Sequence, residues 1–443
     1  MVSGSVAVIF LLLSVGLIIF LTSKYRMNPF VVLILVSFLY GLLVQMPLPD
    51  IVKNIRNGFG GTLGYIGIVI VAGTIIGTIL EKTGAALSMT RAILKLVGKE
   101  RSPLAMSVAG YVISIPVFCD SGYVILTPLN KALAKETGKS MAVMAVALAT
   151  GLYATHCLVP PTPGPIAAAG ILGADLGRVI GMGLLVSIPA MLAGYFWATR
   201  FARRYQIESD MEETYEHLIG KYGKLPGAFH SFLPITLPIV LILLKSVAEF
   251  PTKPFGEGGM AQAMSFIGDP VTALTLGILL ALTLVEKGQM KNALDNWMGE
   301  GVKHAALILA ITGAGGAFGS ILKASPIATF LGESLSSLQL GIFLPFVIAA
   351  AIKTAQGSST VSIITTSSIM APLMVALGLD PVFTVLAIGA GAMTVSHAND
   401  SYFWVVTQFS NMDVPVAYRA YTSATLVLGL VSIACISILS FIF

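Results

Sequence analysis

Four short runs of this chain place acids, imidazoles, hydroxyls and paired prolines among apolar neighbours. Two of them share a register: Thr155-His156-Cys157-Leu158-Val159-Pro160-Pro161-Thr162-Pro163-Gly164-Pro165 and Ser396-His397-Ala398-Asn399-Asp400-Ser401. The other two are Val117-Phe118-Cys119-Asp120-Ser121-Gly122 and Thr354-Ala355-Gln356-Gly357-Ser358-Ser359-Thr360, the latter just after Lys353. Residues of these types can hold a small anion and move a proton. Glycine at 357 permits close approach, while Ser358, Ser359 and Thr360 add donors to the free N–H groups and positive dipole end of a returning helix, a setting that suits a carboxylate. The alternative for these hydroxyls is hydrogen bonding to backbone carbonyls and close helix packing. Ser121, Gly122, Thr155, Thr162, Gln356, Asn399 and Ser401 complete the candidate substrate site.

An intramembrane lysine is costly enough to mark a functional site. Lys353 either supplies a fixed positive charge for a carboxylate, or snorkels or pairs with an acid. Asp120 and Asp400 are the carboxylates placed at midplane depth. Burial favours the neutral forms of carboxyl and imidazole alike, which makes Asp120, Asp400, His156 and His397 the candidate carriers of a coupling ion. Each has a structural reading as well. The aspartates would be ionised partners of Lys353 or of backbone amides, and the histidines would bond unwound carbonyls at two equivalent helix breaks. Cys119, His156, Cys157 and His397 superficially resemble a zinc set, but their spacing is not that of a zinc site. No metal or cofactor is expected. A serine hydrolase is disfavoured by the lack of a G-x-S-x-G elbow.

These residues need unusual elements to position them. The chain is 56% hydrophobic and 11% charged, with mean hydropathy +0.89, against about 25% charged residues in soluble domains. Apolar runs long enough to cross a bilayer core of about 30 Å fall at 6–21, 29–44, 65–80, 180–197, 233–247, 271–285, 305–322 and 422–441. The sequence therefore reads as an all-α polytopic membrane protein embedded in a lipid bilayer. The first run has no positive n-region of a signal peptide. The net charge of +5 fits basic cytoplasmic loops, and no nucleic-acid motif accompanies it. Three cysteines, all in apolar segments, imply no disulfide framework.

The chain also matches itself at offsets of 241–242 residues. Asn28-Pro29 aligns with Asp269-Pro270, Gly73 and Gly77 with Gly315 and Gly319, Ile79-Leu80 with Ile321-Leu322, His156 with His397, and Arg178 with Arg419. The expected organisation is two repeats, 1–199 and 231–443, joined by a cytoplasmic linker at 200–230. Each holds three scaffold helices and an amphipathic arm (85–96, 327–338). A re-entrant hairpin follows (102–133, its tip at Asp120-Ser121-Gly122, and 340–377), then a broken helix (140–172, 382–410) and a final helix (177–198, 417–441). Irregular backbone at such depth requires a protein-lined or watery cavity. Five crossings per repeat put the halves in opposite orientations. With Met1 and Phe443 outside, most of the 26 Lys and Arg fall on the cytoplasmic side, as the positive-inside rule requires. Broken helices recurring in inverted halves are the signature of a secondary transporter's binding site.

The segments 118–122, 159–165 and 356–360, together with Ser396-His397-Ala398-Asn399-Asp400-Ser401-Tyr402-Phe403-Trp404, resemble the gluconate permease (GntP) family, with similarity along nearly the whole chain. The resemblance implies proton-coupled uptake of sugar acids such as gluconate across the bacterial inner membrane, with D-serine and glycerate carriers as relatives. It also implies a homodimeric, elevator-type carrier of the wider ion-transporter superfamily. Two positions depart from the family pattern. Members commonly carry histidine where Thr162 stands, and gluconate carriers often have glycine where Tyr402 stands, which points to a smaller or differently shaped substrate. Sodium coupling, with ion-binding oxygens at unwound backbone, is the alternative within the same class.

Overall fold

The computed structural model describes residues 2–211, 220, 225–249, 254–326, 341–398 and 400–442. Asn399, the expected arm at 327–338 and the linker acids Glu212, Glu213 and Glu216 lie outside the described residues. All regular elements among the described residues are helical. The first half runs α1 (Gly4–Ser23), α2 (Pro29–Leu43), α3 (Leu48–Lys82), α4 (Ala85–Val97), α5 (Ser102–Ile113), α6 (Cys119–Thr137), α7 (Met141–Leu158), α8 (Pro163–Leu172) and α9 (Leu176–Arg200). The second begins with α10 (Ala228–Ala248), α11 (Gly259–Ile267), α12 (Pro270–Leu282) and α13 (Met298–Lys323). It continues with α14 (Phe343–Gln356), α15 (Ser359–Ala376), α16 (Pro381–Ala392), α17 (Ser401–Phe409) and α18 (Ser423–Ile442). Eight of the described helices are long and apolar enough to cross a membrane.

Local chemistry fixes where these helices start. Asn28 and Asp269, matched in the sequence, both accept the N–H two residues on, at 2.9 and 3.0 Å, and each is followed by proline at the first helical position. Side-chain caps satisfy donors that a helix end leaves open, and proline lacks the N–H that would be orphaned there. Asp380 and Ser140 cap α16 and α7 in the same way. Prolines also make the first break: α7 stops before Pro160-Pro161, and α8 restarts on Pro163. The short α11, absent from the sequence reading, bends by 61° into α12.

The α5–α6 turn falls at 114–118, ahead of Asp120-Ser121-Gly122, which form the first turn of α6 rather than the turn itself. Pro116 supplies the stop. On the other side, the α14–α15 turn is Gly357-Ser358, with Gly357 at φ +92. α7 lies at the centre of the bundle and every one of its residues is buried. It packs on α5 at glycines: a Cβ at Gly151 would sit 2.1 Å from the Ser107 carbonyl oxygen. α3 and α13 pack along each other, and α3 reaches the α5–α6 turn through Gly77, whose Cβ would lie 2.4 Å from the Pro116 oxygen.

The start of the linker is strapped to the ends of α6 and α7. Ser140 donates to Tyr205 O at 2.6 Å and accepts from Ile207 N at 3.1 Å. Ser209 donates to Lys131 O at 2.8 Å, and Lys131 pairs with Asp210 at 2.7 Å. Hydrogen bonds from Lys131 and Asn411 hold the Asp210 carboxyl below its ordinary range. Farther along, Ser88 of α4 donates to Pro226 O at 2.6 Å.

Candidate functional site

The α14–α15 turn and the α16–α17 break meet at a buried ion pair. Lys353 is fully buried, and its ammonium donates to the Gly357 carbonyl and, at 2.5 Å, to Asp400 Oδ2. Asp400 caps α17 by accepting Tyr402 N–H at 3.0 Å through Oδ1, while Oδ2 also accepts from Ser396 Oγ at 2.5 Å. Tyr421 donates to Ser396 Oγ at 3.2 Å, and Thr422 donates to the Ser396 carbonyl at 2.6 Å. A charge pair buried in this way is tolerable only when its remaining hydrogen-bonding capacity is met, and here Ser396, Tyr402 N–H and Gly357 meet it. Of the two readings open for Lys353, the geometry is that of pairing with an acid.

Asp120 sits at the start of α6 with Oδ1 buried and without a hydrogen-bond partner. The fields of Asp400 and Lys353 both reach it. The same two charges act on His156, whose ring stacks on Tyr153 at 6.3 Å and faces Phe118 at 6.4 Å. His156 Nδ1 has no partner, whereas His397 Nε2 lies 2.9 Å from Thr354 O. The two histidines share a register in the sequence but not a role in hydrogen bonding.

The remaining candidates divide. Ser358 caps α15 by accepting from Val361 N at 3.3 Å, and Gln356 reaches the Ser358 carbonyl at 2.5 Å. Ser359 is buried beside Cys157 at the end of α7, Thr360 is half-buried and Ser401 is exposed. Thr155 donates to Tyr111 O at 2.8 Å and Thr162 to Val159 O at 2.6 Å, so both hydroxyls serve the backbone. A Cβ at Gly122 would meet Leu152 at 2.7 Å, which makes that glycine a packing contact of α7. Ser121 and Thr162 instead line narrow crevices against Thr74 of α3. Glu81 lines the Ser121 crevice and also a cavity of about 940 Å³ with Lys82, His230 and Glu286.

The sequence reading missed a cluster of tyrosines behind the ion pair. Tyr402 donates to Ala149 O at 3.1 Å and packs 5.3 Å from Tyr153, 6.2 Å from Tyr123 and 5.9 Å from Tyr421. Tyr153, one turn before His156 in a helix of otherwise small or aliphatic residues, was the available signal.

A multi-pass helical membrane protein with a charged site buried between interrupted helices belongs to the class of solute permeases. The GntP family permease model matches residues 6–442, and the chain belongs to that family. It is 34% identical over 436 residues to a gluconate permease of Pseudomonas aeruginosa, covering 97% of this chain and 96% of the relative. It is also 34% identical over 443 residues to the D-serine transporter DsdX of Escherichia coli, covering 98% of each. An uncharacterized permease of Haemophilus influenzae is 36% identical over 423 residues, covering 92% of this chain and 86% of that one. Among solved structures, the Alcanivorax borkumensis YdaH transporter superposes with TM-score 0.66 at 16% identity, over 94% of this chain and 99% of that one. That similarity shows a shared fold.

Proposed function

We propose that the protein imports a small carboxylate by proton symport, with Asp120 as the proton carrier. The observation that carries this reading is the charge count at the site. Asp120 Oδ1 is buried and unpartnered within the field of the Lys353–Asp400 pair, and one lysine balances only one of two carboxylates. A lone buried charge is expensive and is relieved by neutralisation. Asp400 already has its ammonium and its hydrogen bonds, which leaves Asp120 to take up the proton. A substrate carboxylate arriving nearby makes that proton more necessary still, and this is the physical basis for moving the two together. Of the two aspartates named from the sequence, the geometry therefore favours Asp120.

In this reading α5–α6 and α14–α15 are re-entrant hairpins of two inverted repeats. They move with the broken helices α7–α8 and α16–α17 past the scaffold in an elevator-type cycle, within a homodimer of the inner membrane. The matched caps at Asn28 and Asp269 and the matched breaks support the duplication. Tyr402, wedged among tyrosines where gluconate carriers often have glycine, favours a substrate smaller than gluconate. Gly357–Thr360 and Ser401 supply donors to it.

A thermal-shift screen of purified protein against gluconate, uronates, glycerate and D-serine tests the substrate class. Stabilisation should follow RT ln(1 + [L]/Kd) and be absent with polyols, because donors built for a carboxylate each lose about 1–3 kcal/mol when left unmet. Ser358→Ala with Ser359→Ala should weaken binding at least tenfold, and an unchanged Kd would remove the turn from the site. Stabilisation that requires sodium, in sodium-free against sodium-containing buffer, would replace the proton by sodium.

Orientation has its own test. Ser209 holds the Lys131 carbonyl, so a cysteine is better placed at the neighbouring exposed Glu208. In intact cells Glu208→Cys should resist membrane-impermeant thiol reagents and react only after permeabilisation. Labelling from outside would invert the proposed topology.

A further inference from the structure

We propose that a second cavity, of about 280 Å³ at the opposite end of α3 and α13, is a capture site for the substrate's carboxylate at the outer mouth, with Lys323 as its cation. The inference rests on the carboxylate reading and the orientation given above. The cavity lies between Asn57 and Thr62 of α3, Ser320 and Lys323 of α13, the end of α8 and Ala371 of α15. Among the described residues, its lining contains one charged residue and no acid. At about 30 Å³ per water it has room for roughly nine waters, or for a small organic anion with part of its hydration.

The repeat gives this lysine a partner for comparison. Lys82 and Lys323 are each the last residue of their scaffold helix, α3 and α13. Lys82 is neutralised by Glu300 at 3.0 Å, and its cavity also carries Glu81 and Glu286. In the register that matches Gly77 with Gly319, the counterpart of Glu300 is Gly58 rather than an acid. Among the described residues, Lys323 has no ion-pair partner. Among the described residues, one mouth therefore presents an unbalanced positive charge and the other a surplus of acids. A cleft lined by one sign of charge raises the local concentration of the opposite ion. An anion is drawn in at the Lys323 end and repelled from the Glu81 end once released there.

The test has two arms. In the first, Ser320→Cys is made with Cys435→Ser, since Cys119 and Cys157 are buried. The purified protein is then labelled with anionic and cationic methanethiosulfonate reagents. The anionic-to-cationic rate ratio should fall about tenfold at low salt on adding Lys323→Gln, and far less near 1 M salt, where the screening length is about 3 Å. Millimolar gluconate or glycerate should slow the anionic reagent. In the second arm, Lys323→Gln should raise KM for uptake of the carboxylate that stabilises the protein, about five- to tenfold, with Vmax retained and Lys323→Arg near wild type. An unchanged labelling ratio overturns the site. Labelling slowed by anionic lipid but not by the carboxylates assigns the cavity to a lipid headgroup and overturns capture. A fall in Vmax with KM unchanged also overturns it. If the wild-type protein binds no carboxylate, the preceding functional reading fails, while the labelling ratio still decides the field at Lys323.

Discussion

Lys353→Met is expected to cost about 3–5 kcal/mol of stability, the range for removing one partner of a buried ion pair. Without its ammonium, the Asp400 carboxyl is left at a site 5% exposed, with only Ser396 and Tyr402 N–H as donors. Asp400→Asn should be damaging for the converse reason, because it leaves a fully buried ammonium with the Gly357 carbonyl alone. The double variant Lys353→Met with Asp400→Asn removes both charges and should recover most of the lost stability. Thermal unfolding in detergent, arranged as a double-mutant cycle, would show strong non-additivity. Single variants that each lose less than 1 kcal/mol and add independently would mean that the two side chains do not hold the α14–α15 turn to the α16–α17 break.

Asp120→Asn should separate binding from accumulation. Its carboxylate has an unpartnered oxygen and no ammonium of its own, so the amide can replace it without orphaning a charge, and the protein should fold. In proteoliposomes the variant should still exchange labelled substrate across the membrane. A one-unit pH gradient is worth about 1.4 kcal/mol per proton and supports roughly tenfold accumulation in a one-to-one symport. For Asp120→Asn the ratio should fall to about one. Normal accumulation in this variant would move the coupling ion to His156, whose unpartnered Nδ1 lies in the same electrostatic field, or to sodium.

Legibility in the sequence followed the range of each signal. Helix starts and breaks are local: Asn28-Pro29, Asp269-Pro270 and the prolines at 160–165 mark boundaries through neighbouring residues alone. The Lys353–Asp400 pair could be named from the sequence only as one of two options, because its partners lie far apart in the chain and meet through tertiary packing. The tyrosine cluster was hidden for a similar reason, being assembled from α6, α7, α17 and the turn before α18. The first turn lies at 114–118 rather than at the expected Asp120-Ser121-Gly122, because those three residues fit the first turn of α6 while Pro116 follows the end of α5. Glu81 and the strap at 205–211 carried no motif, since their significance lies in what packs over them.

The burial of α7 has a consequence for how the bilayer acts on the protein. The span Met141–Leu172 is apolar enough to pass for an ordinary lipid-facing helix, yet its apolar window is 100% buried, against 22% for Gly4–Thr22 and 33% each for Ala228–Ala248 and Val414–Ile442. Thickness mismatch is felt by helices in contact with acyl chains, at fractions of a kcal/mol per Å. A thinner or thicker membrane therefore strains α1, α10 and α18 directly and reaches α7 only through its protein neighbours. The helix that bears His156 is mechanically insulated, and lipid composition should alter how the outer helices tilt around the site before it alters the site itself.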